Sequence, residues 1–268
     1  YGFLETADKL KYLFGRERYN WFKNGLESWI RYEAAIDNRI GLDGYYGYVL
    51  LLAVFARLSN ARKYADIAVA LVDQMHSVGN ISADFTLAHG ITGCCFATSY
   101  LIAKGYVDDS SGCTLKCVEK HIIDNFEQHK DRMSYDELVS IGLYFLTRLS
   151  CDSDGVYEQI CKKIIIELSK RDLTPETTAD LHTLCGAMEL MSWQGMATDP
   201  DMLNLVENGL DSLVQDDLNR LCILCRLYKL TGNQVYKKKI SDLAETAIFD
   251  ITDIQQALMF ANLLTIRI

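Results

Sequence analysis

Proline is nearly absent: Pro175 and Pro200 are the only two in 268 residues, so long helices meet few breakers. No apolar run approaches the ~20 residues that a membrane-spanning helix needs. The longest, Val49 to Ala56, is far shorter. Basic charge is scarce as well, with 27 Lys and Arg against 36 Asp and Glu, a formal net charge of −9. That balance argues against a nucleic-acid backbone or an anionic membrane as partner, because both need clustered Lys and Arg. Strand-like alternation is also rare. No signal-peptide pattern is visible: Tyr1 opens directly into an amphipathic segment, without an initiator Met.

What is present is apolar and helical. Hydrophobic residues make up 49% of the chain, enough for a sizeable core. The nine cysteines are odd in number and several lie on apolar faces, the pattern of free thiols in a reducing cytoplasm rather than of a disulfide framework.

The helical pattern repeats. Tyr64, Ile67, Ala68, Leu71, Val72 and Met75 form one apolar stripe, and Tyr157, Ile160, Cys161, Ile164, Ile165 and Leu168 repeat its offsets without change. Leu115 to Phe126, Leu203 to Val214 and Tyr236 to Ile248 carry looser copies. Between these one-faced helices lie segments apolar over most of their circumference: Tyr48–Leu58, Gly93–Ala103, Val139–Leu149, Leu181–Trp193 and Leu218–Leu230. Alternation of enclosed and one-faced helices at a period in the forties or a little less predicts stacked helical hairpins. An open superhelix would wet one side of the enclosed helices. The expectation is therefore a closed (α/α) toroid, all-α, of about six hairpins, as one monomeric domain over residues 1–268. Ile251–Ile266 would begin a sixth inner helix, and Leu4–Ile36 would supply the missing outer one. On this reading Tyr64, Ile67, Leu71, Ile160, Ile164 and Leu243 are buried.

Glycines mark the inner helix starts: Gly44-Tyr45-Tyr46-Gly47, Gly90-Ile91-Thr92-Gly93, Ile141-Gly142 and Cys185-Gly186. Each glycine in a helix costs about 0.5–1 kcal/mol relative to alanine, so the repetition implies that backbones crowd together there. The paired Gly-x-x-Gly segments, together with the corners "LSN" before Tyr64 and "LTGNQVY" at Leu230–Tyr236, resemble the lanthionine synthetase C-like family over roughly Gly41 to Leu149. That resemblance implies an α/α toroid and a thioether-forming peptide cyclase that works through zinc. The family's zinc ligands come from Trp-Cys-x-Gly and Cys-His-Gly motifs, and neither occurs here. Its His-Gly motif does match, at His89-Gly90, which implies a catalytic histidine at the ring mouth.

The residues themselves offer several candidate sites. His89 reads either as an acid/base group or as a hydrogen-bonded structural histidine. Cys94 and Cys95 diverge by about 100° on a helix and read as buried small hydrophobes. Cys222-Ile-Leu-Cys225 lacks the context of a redox or metal motif and reads as packing. His182 and Cys185 share a face, but two ligands are too few for zinc, so no metal or other cofactor is expected. Asp43, Asp84, Asp136, Asp180, Asp217 and Asp253 each precede or open an inner helix. Capping explains most of them. In a ring they would also converge, with Tyr45, Tyr46, His89 and His182, on one acidic mouth suited to a peptide or a cationic ligand.

Three functions remain open: a zinc-free relative of the cyclases that binds a ribosomally made peptide or its modifying enzyme; a carbohydrate-processing toroid; and a helical-repeat scaffold. The second needs two positioned carboxylates and an aromatic platform. Trp21, Trp29 and Trp193 are not placed at the mouth by the sequence.

Overall fold

The computed structural model describes residues 16–33, 40–76, 84–109, 114–149, 155–174, 180–196, 199–212, 214 and 216–246. Among them are eleven α-helices, one π-helical turn and no strand. In chain order the helices are α1 (Arg16–Ser28), which runs into the π turn Trp29–Glu33, then α2 (Tyr45–Ser59), α3 (Arg62–His76), α4 (Ile91–Ala103) and α5 (Lys116–His129). They continue as α6 (Tyr135–Arg148), α7 (Val156–Leu168), α8 (Leu181–Trp193), α9 (Pro200–Ser212), α10 (Asp217–Thr231) and α11 (Gln234–Thr246). The expected sixth inner helix, with Asp253, lies outside the described residues, as do the side chains of Trp21 and Met75.

The even-numbered helices from α2 to α10 form an inner layer. Each packs on the next: α2 on α4, α4 on α6, α6 on α8 and α8 on α10. Outer helices lie against them, α3 on α2, α7 on α6, α9 on α8 and α11 on α10, while α7 also touches α8. Buried residues of both layers join one hydrophobic cluster. The all-α prediction is correct, and so is the alternation. Inner helices are enclosed over most of their surface; in α4, residues Ile91, Thr92, Gly93, Cys95, Ala97, Thr98, Ser99 and Leu101 are all buried. Outer α5 buries only Glu119, Ile122 and Phe126.

Sequence features set the helix limits. Asn60 at φ 53° and Gly232 at φ 67° end α2 and α10 in the left-handed conformation, where the "LSN" and "LTGN" corners fall. Ser134 and Glu137 form a capping box that starts α6 at Tyr135, four residues ahead of the apolar run.

One expected stripe residue is misplaced. Ile67 is 47% exposed, whereas Ile160, at the same offset in its own stripe, is 3% exposed. Helix α3 buries Tyr64, Ala65, Ala68 and Val72, so its core face is centred on one side of the stripe. At about 100° per residue Ile67 falls outside that face, and Leu71 sits half-buried on its flank. Helix α7 packs on both α6 and α8, and the wider contact covers Ile160 as well. Tyr64 and Ile164 are buried as expected, and Leu243 is half-buried.

A tyrosine clamp repeats between outer helices. Near the start of α7, Tyr157 donates its hydroxyl to Glu119 Oε2 of α5 at 2.7 Å. Near the start of α3, Tyr64 donates to Glu27 Oε1 of α1 at 2.7 Å. Near the start of α11, Tyr236 donates to Glu207 of α9. Helix α1 therefore stands to α3 as α5 stands to α7. It takes the place of an outer helix against α3.

Candidate functional site

The segment "LAHGITGCC" is not a simple helix start. Residues 84–90 fold into a loop that lies across the inner helix ends. Asp84 Oδ1 accepts from the Thr86 amide at 2.7 Å, which turns the chain. The loop is then held from both sides. The amides of Leu42 and Asp43 donate to the carbonyls of Leu87 and Ala88 at 2.9 and 2.8 Å. On the other side Ser140 Oγ of α6 accepts from the Leu87 amide at 3.0 Å. Three glycines permit this. A Cβ on Gly41 would stand 2.1 Å from Ala88 O, one on Gly90 2.2 Å from Asp84 O, and one on Gly93 2.1 Å from Leu87 O. No side chain fits against backbone at those distances. The crowding is thus loop on helix start. Gly142 and Gly186 differ: they face the side-chain tips of Leu190 and of Val139 and Leu143, which is close packing of neighbouring inner helices.

The structure brings part of the predicted mouth together. Asp84 precedes α4, Asp136 lies in the first turn of α6, and Asp180 caps α8, accepting from the amides of His182 and Thr183 at 3.0 and 3.3 Å. The buried Thr183 hydroxyl lies 2.9 Å from Asp136 Oδ1 and 2.5 Å from Asp180 Oδ2. Burial, with the charges of Asp180 and Asp84, pushes the Asp136 carboxyl above its ordinary range, against the downward pull of its hydrogen bonds to Thr183 and Ser140. Thr183 thus bridges the two carboxyl groups and ties the first turn of α6 to the cap of α8. Asp216 caps α10, one residue ahead of the Asp217 singled out by sequence.

His89 sits at the surface, half exposed, with Nδ1 3.5 Å from Asp43 Oδ2. Its amide donates to Thr86 Oγ1, which fixes the backbone but leaves the ring at the surface. Tyr45 and Tyr46 are buried. Tyr45 spends its hydroxyl on the Leu71 carbonyl of α3 at 2.9 Å, and Tyr46 turns inward toward Cys94. Neither ring forms part of an exposed rim. His182 is half-buried, with Nε2 2.6 Å from Asn219 Oδ1 and Nδ1 3.4 Å from Arg226 Nη1.

The thiols divide by environment. Cys95 is buried as predicted, but Cys94 is only half-buried. The Cys95 thiol donates to the Cys94 sulfur, which pulls Cys94 below its ordinary value. The same bond, with burial, pushes Cys95 well up. Burial raises Cys185 to about 11 and Cys225 to about 12.

Sequence reasoning missed a buried network. Glu119 of α5 accepts from Arg148 Nε at 2.8 Å, from Tyr144 at 2.7 Å and from Tyr157 at 2.7 Å. Arg148 sits at the end of an apolar helix and Glu119 within a one-faced stripe. Their opposite charges were visible in the sequence, but their pairing was not.

Among the described residues no group of three or more His, Cys, Asp or Glu side chains is placed to hold a metal ion. None of the described helices is long and apolar enough to cross a membrane. No family model, curated protein or solved structure matches this chain.

Proposed function

We propose that the chain is a zinc-free α/α toroid similar to the lanthionine synthetase C-like proteins, and that it binds a cationic peptide segment at the inner helix ends without cyclising it. The observation that carries this reading is the acidic cluster at the inner helix starts: Thr183 bridges Asp136 of α6 and the Asp180 cap of α8, and the charge of Asp84, ahead of α4, adds to theirs. A surface that gathers acidic side chains stabilises an arriving Lys or Arg and disfavours an anionic ligand. His89 and Asp43 extend the same rim.

The residues do not fit the zinc of the cyclases. A catalytic zinc takes about three protein ligands and keeps one position open. The only pair singled out by spacing is His182 and Cys185. Both His182 ring nitrogens are engaged by Asn219 and Arg226, and the Cys185 thiol is buried and held protonated at neutral pH. Elemental analysis should find no stoichiometric zinc in the purified protein. One tightly held zinc per chain, lost on H182A or C185A, overturns this part of the reading.

The peptide test uses two fluorescent peptides, one rich in Lys and Arg and one rich in Glu. Anisotropy should show salt-sensitive binding of the first alone. The triple variant D84N/D136N/D180N should weaken it at least tenfold, about 1.4 kcal/mol. Asn keeps an Oδ1 acceptor at all three positions and is a good helix cap at 180, so the fold survives these changes. Equal affinity of the wild type and the triple variant rejects the acidic mouth as the binding surface.

A further inference from the structure

We propose that His182 is an acid-sensitive latch between α8 and α10, whose neutral ring ties the two inner helices together and whose protonation loosens them at the mouth. The geometry permits one protonation state. A guanidinium has no acceptor, so Arg226 Nη1, 3.4 Å from His182 Nδ1, can only donate to it. The ring proton therefore sits on Nε2 and is donated to Asn219 Oδ1 at 2.6 Å. Both partners belong to α10.

Arg226 is itself fixed in place. Its Nη1 also donates to the His182 carbonyl at 3.0 Å, and its Nε donates to Glu189 Oε1 at 2.8 Å. The guanidinium thus lies along the first turns of α8.

A proton on Nδ1 turns the acceptor into a donor that faces a donor. It also sets an imidazolium against a guanidinium in a largely buried seam, where charges are poorly screened. The charged groups around the ring are Arg226 from α10 and, from its own helix, Asp180 and Glu189. From α6, Asp136 reaches this turn through the Thr183 hydroxyl. Outer helix α9 meets the turn at Gly209, against Leu181. Burial and Arg226 outweigh the Asn219 hydrogen bond and the two acids and pull His182 below the ordinary histidine value.

The sign follows. A histidine with a lowered value in the folded state binds its proton more readily when unfolded. The stability of the latch is complete above about pH 6.5 and is lost as pH falls from there through the folded value. The latch stands independently of what binds at the mouth.

The test uses the whole chain. Long-range proton–nitrogen NMR of the His182 ring near pH 7.5 should show a neutral imidazole with its proton on Nε2. A ring that is charged at that pH, or protonated on Nδ1 alone, overturns the proposal. H182Q keeps both hydrogen bonds, with Oε1 accepting from Arg226 and the amide donating to Asn219, and it cannot titrate. Between about pH 7.5 and 5.5 the wild type should lose about 2–4 °C more in Tm than H182Q. Equal losses reject the latch. Should H182Q fail to fold, R226Q supplies the second measurement: with the guanidinium gone, His182 should titrate at higher pH than in the wild type. An unchanged titration rejects the role given to Arg226. Hydrogen exchange should quicken in acid at residues 181–184 and 217–220 before it does so in α7. Uniform acceleration counts against a local latch.

Discussion

At the scale of single residues, burial rather than hydrophobicity sets the cost of a change. Ile164 is fully buried between α7 and the inner layer, so I164A should cost about 2–5 kcal/mol in chemical denaturation. I67A, on the exposed side of α3, should stay within about 0.5 kcal/mol of the wild type. Equal losses would show that the buried face of α3 is misassigned. The glycines separate in the same way. G90A drives a methyl into the Asp84 carbonyl, which cannot move without undoing the 84–90 loop, and should cost at least about 2 kcal/mol. G142A meets side-chain methyls of Leu190 and Ile164, which can shift, and gains helix propensity of up to about 1 kcal/mol, so it should cost clearly less than G90A. Thermal unfolding of the two variants side by side checks this; the reverse order would sink the account of the loop.

At the scale of elements, outer helices are joined by tyrosine-to-glutamate hydrogen bonds, and one such junction is buried. Glu119 and Arg148 are both enclosed, so R148M leaves an uncompensated carboxylate and should cost about 3–5 kcal/mol. Y157F removes one of three donors to the same group and should cost about 1–3 kcal/mol. Y64F should cost less, because the Glu27 carboxylate keeps access to water and to Arg31. Denaturant midpoints for the three variants give the order directly. If Y64F proves the most damaging, the repeated clamp does not carry equivalent roles along the chain.

At the scale of the whole molecule, the convergence of helix starts makes stability depend on pH in two opposing ways. His182 contributes stability that is lost as pH falls. Asp136, held above its ordinary range, contributes in the other direction: the folded state keeps its proton more tightly, and that stability is lost as pH rises through the folded value. D136N retains the acceptor for Thr183 and removes the charge. It should therefore stabilise the protein at neutral pH by about 0.5–2 kcal/mol while matching the wild type in strong acid. The same variant should weaken binding of a cationic peptide. Lower stability of D136N at neutral pH would show that the carboxylate is a structural acceptor and not a strained, functional one.

The sequence by itself determined the helical class, the alternation of enclosed and one-faced helices, and the corners at Asn60 and Gly232. All of these depend on local pattern: apolar spacing selects the helix, and a left-handed residue ends it. It also placed carboxylates near the inner helix starts, but capping accounts for only one of those described, Asp180; Gly44, Gly90, Ser134 and Asp216 hold the other cap positions. Tertiary structure decided the rest. Ile67 and Ile160 share one offset but not one fate, since the number of neighbouring helices is invisible in a stripe. Tyr45 and Tyr46 stand beside acidic helix starts in the chain and yet turn inward, because a hydroxyl follows its nearest acceptor. His182 reads as a mouth residue until Arg226, 44 residues away, takes its Nδ1. Long-range partners fix protonation and exposure, and these are the properties on which a site depends.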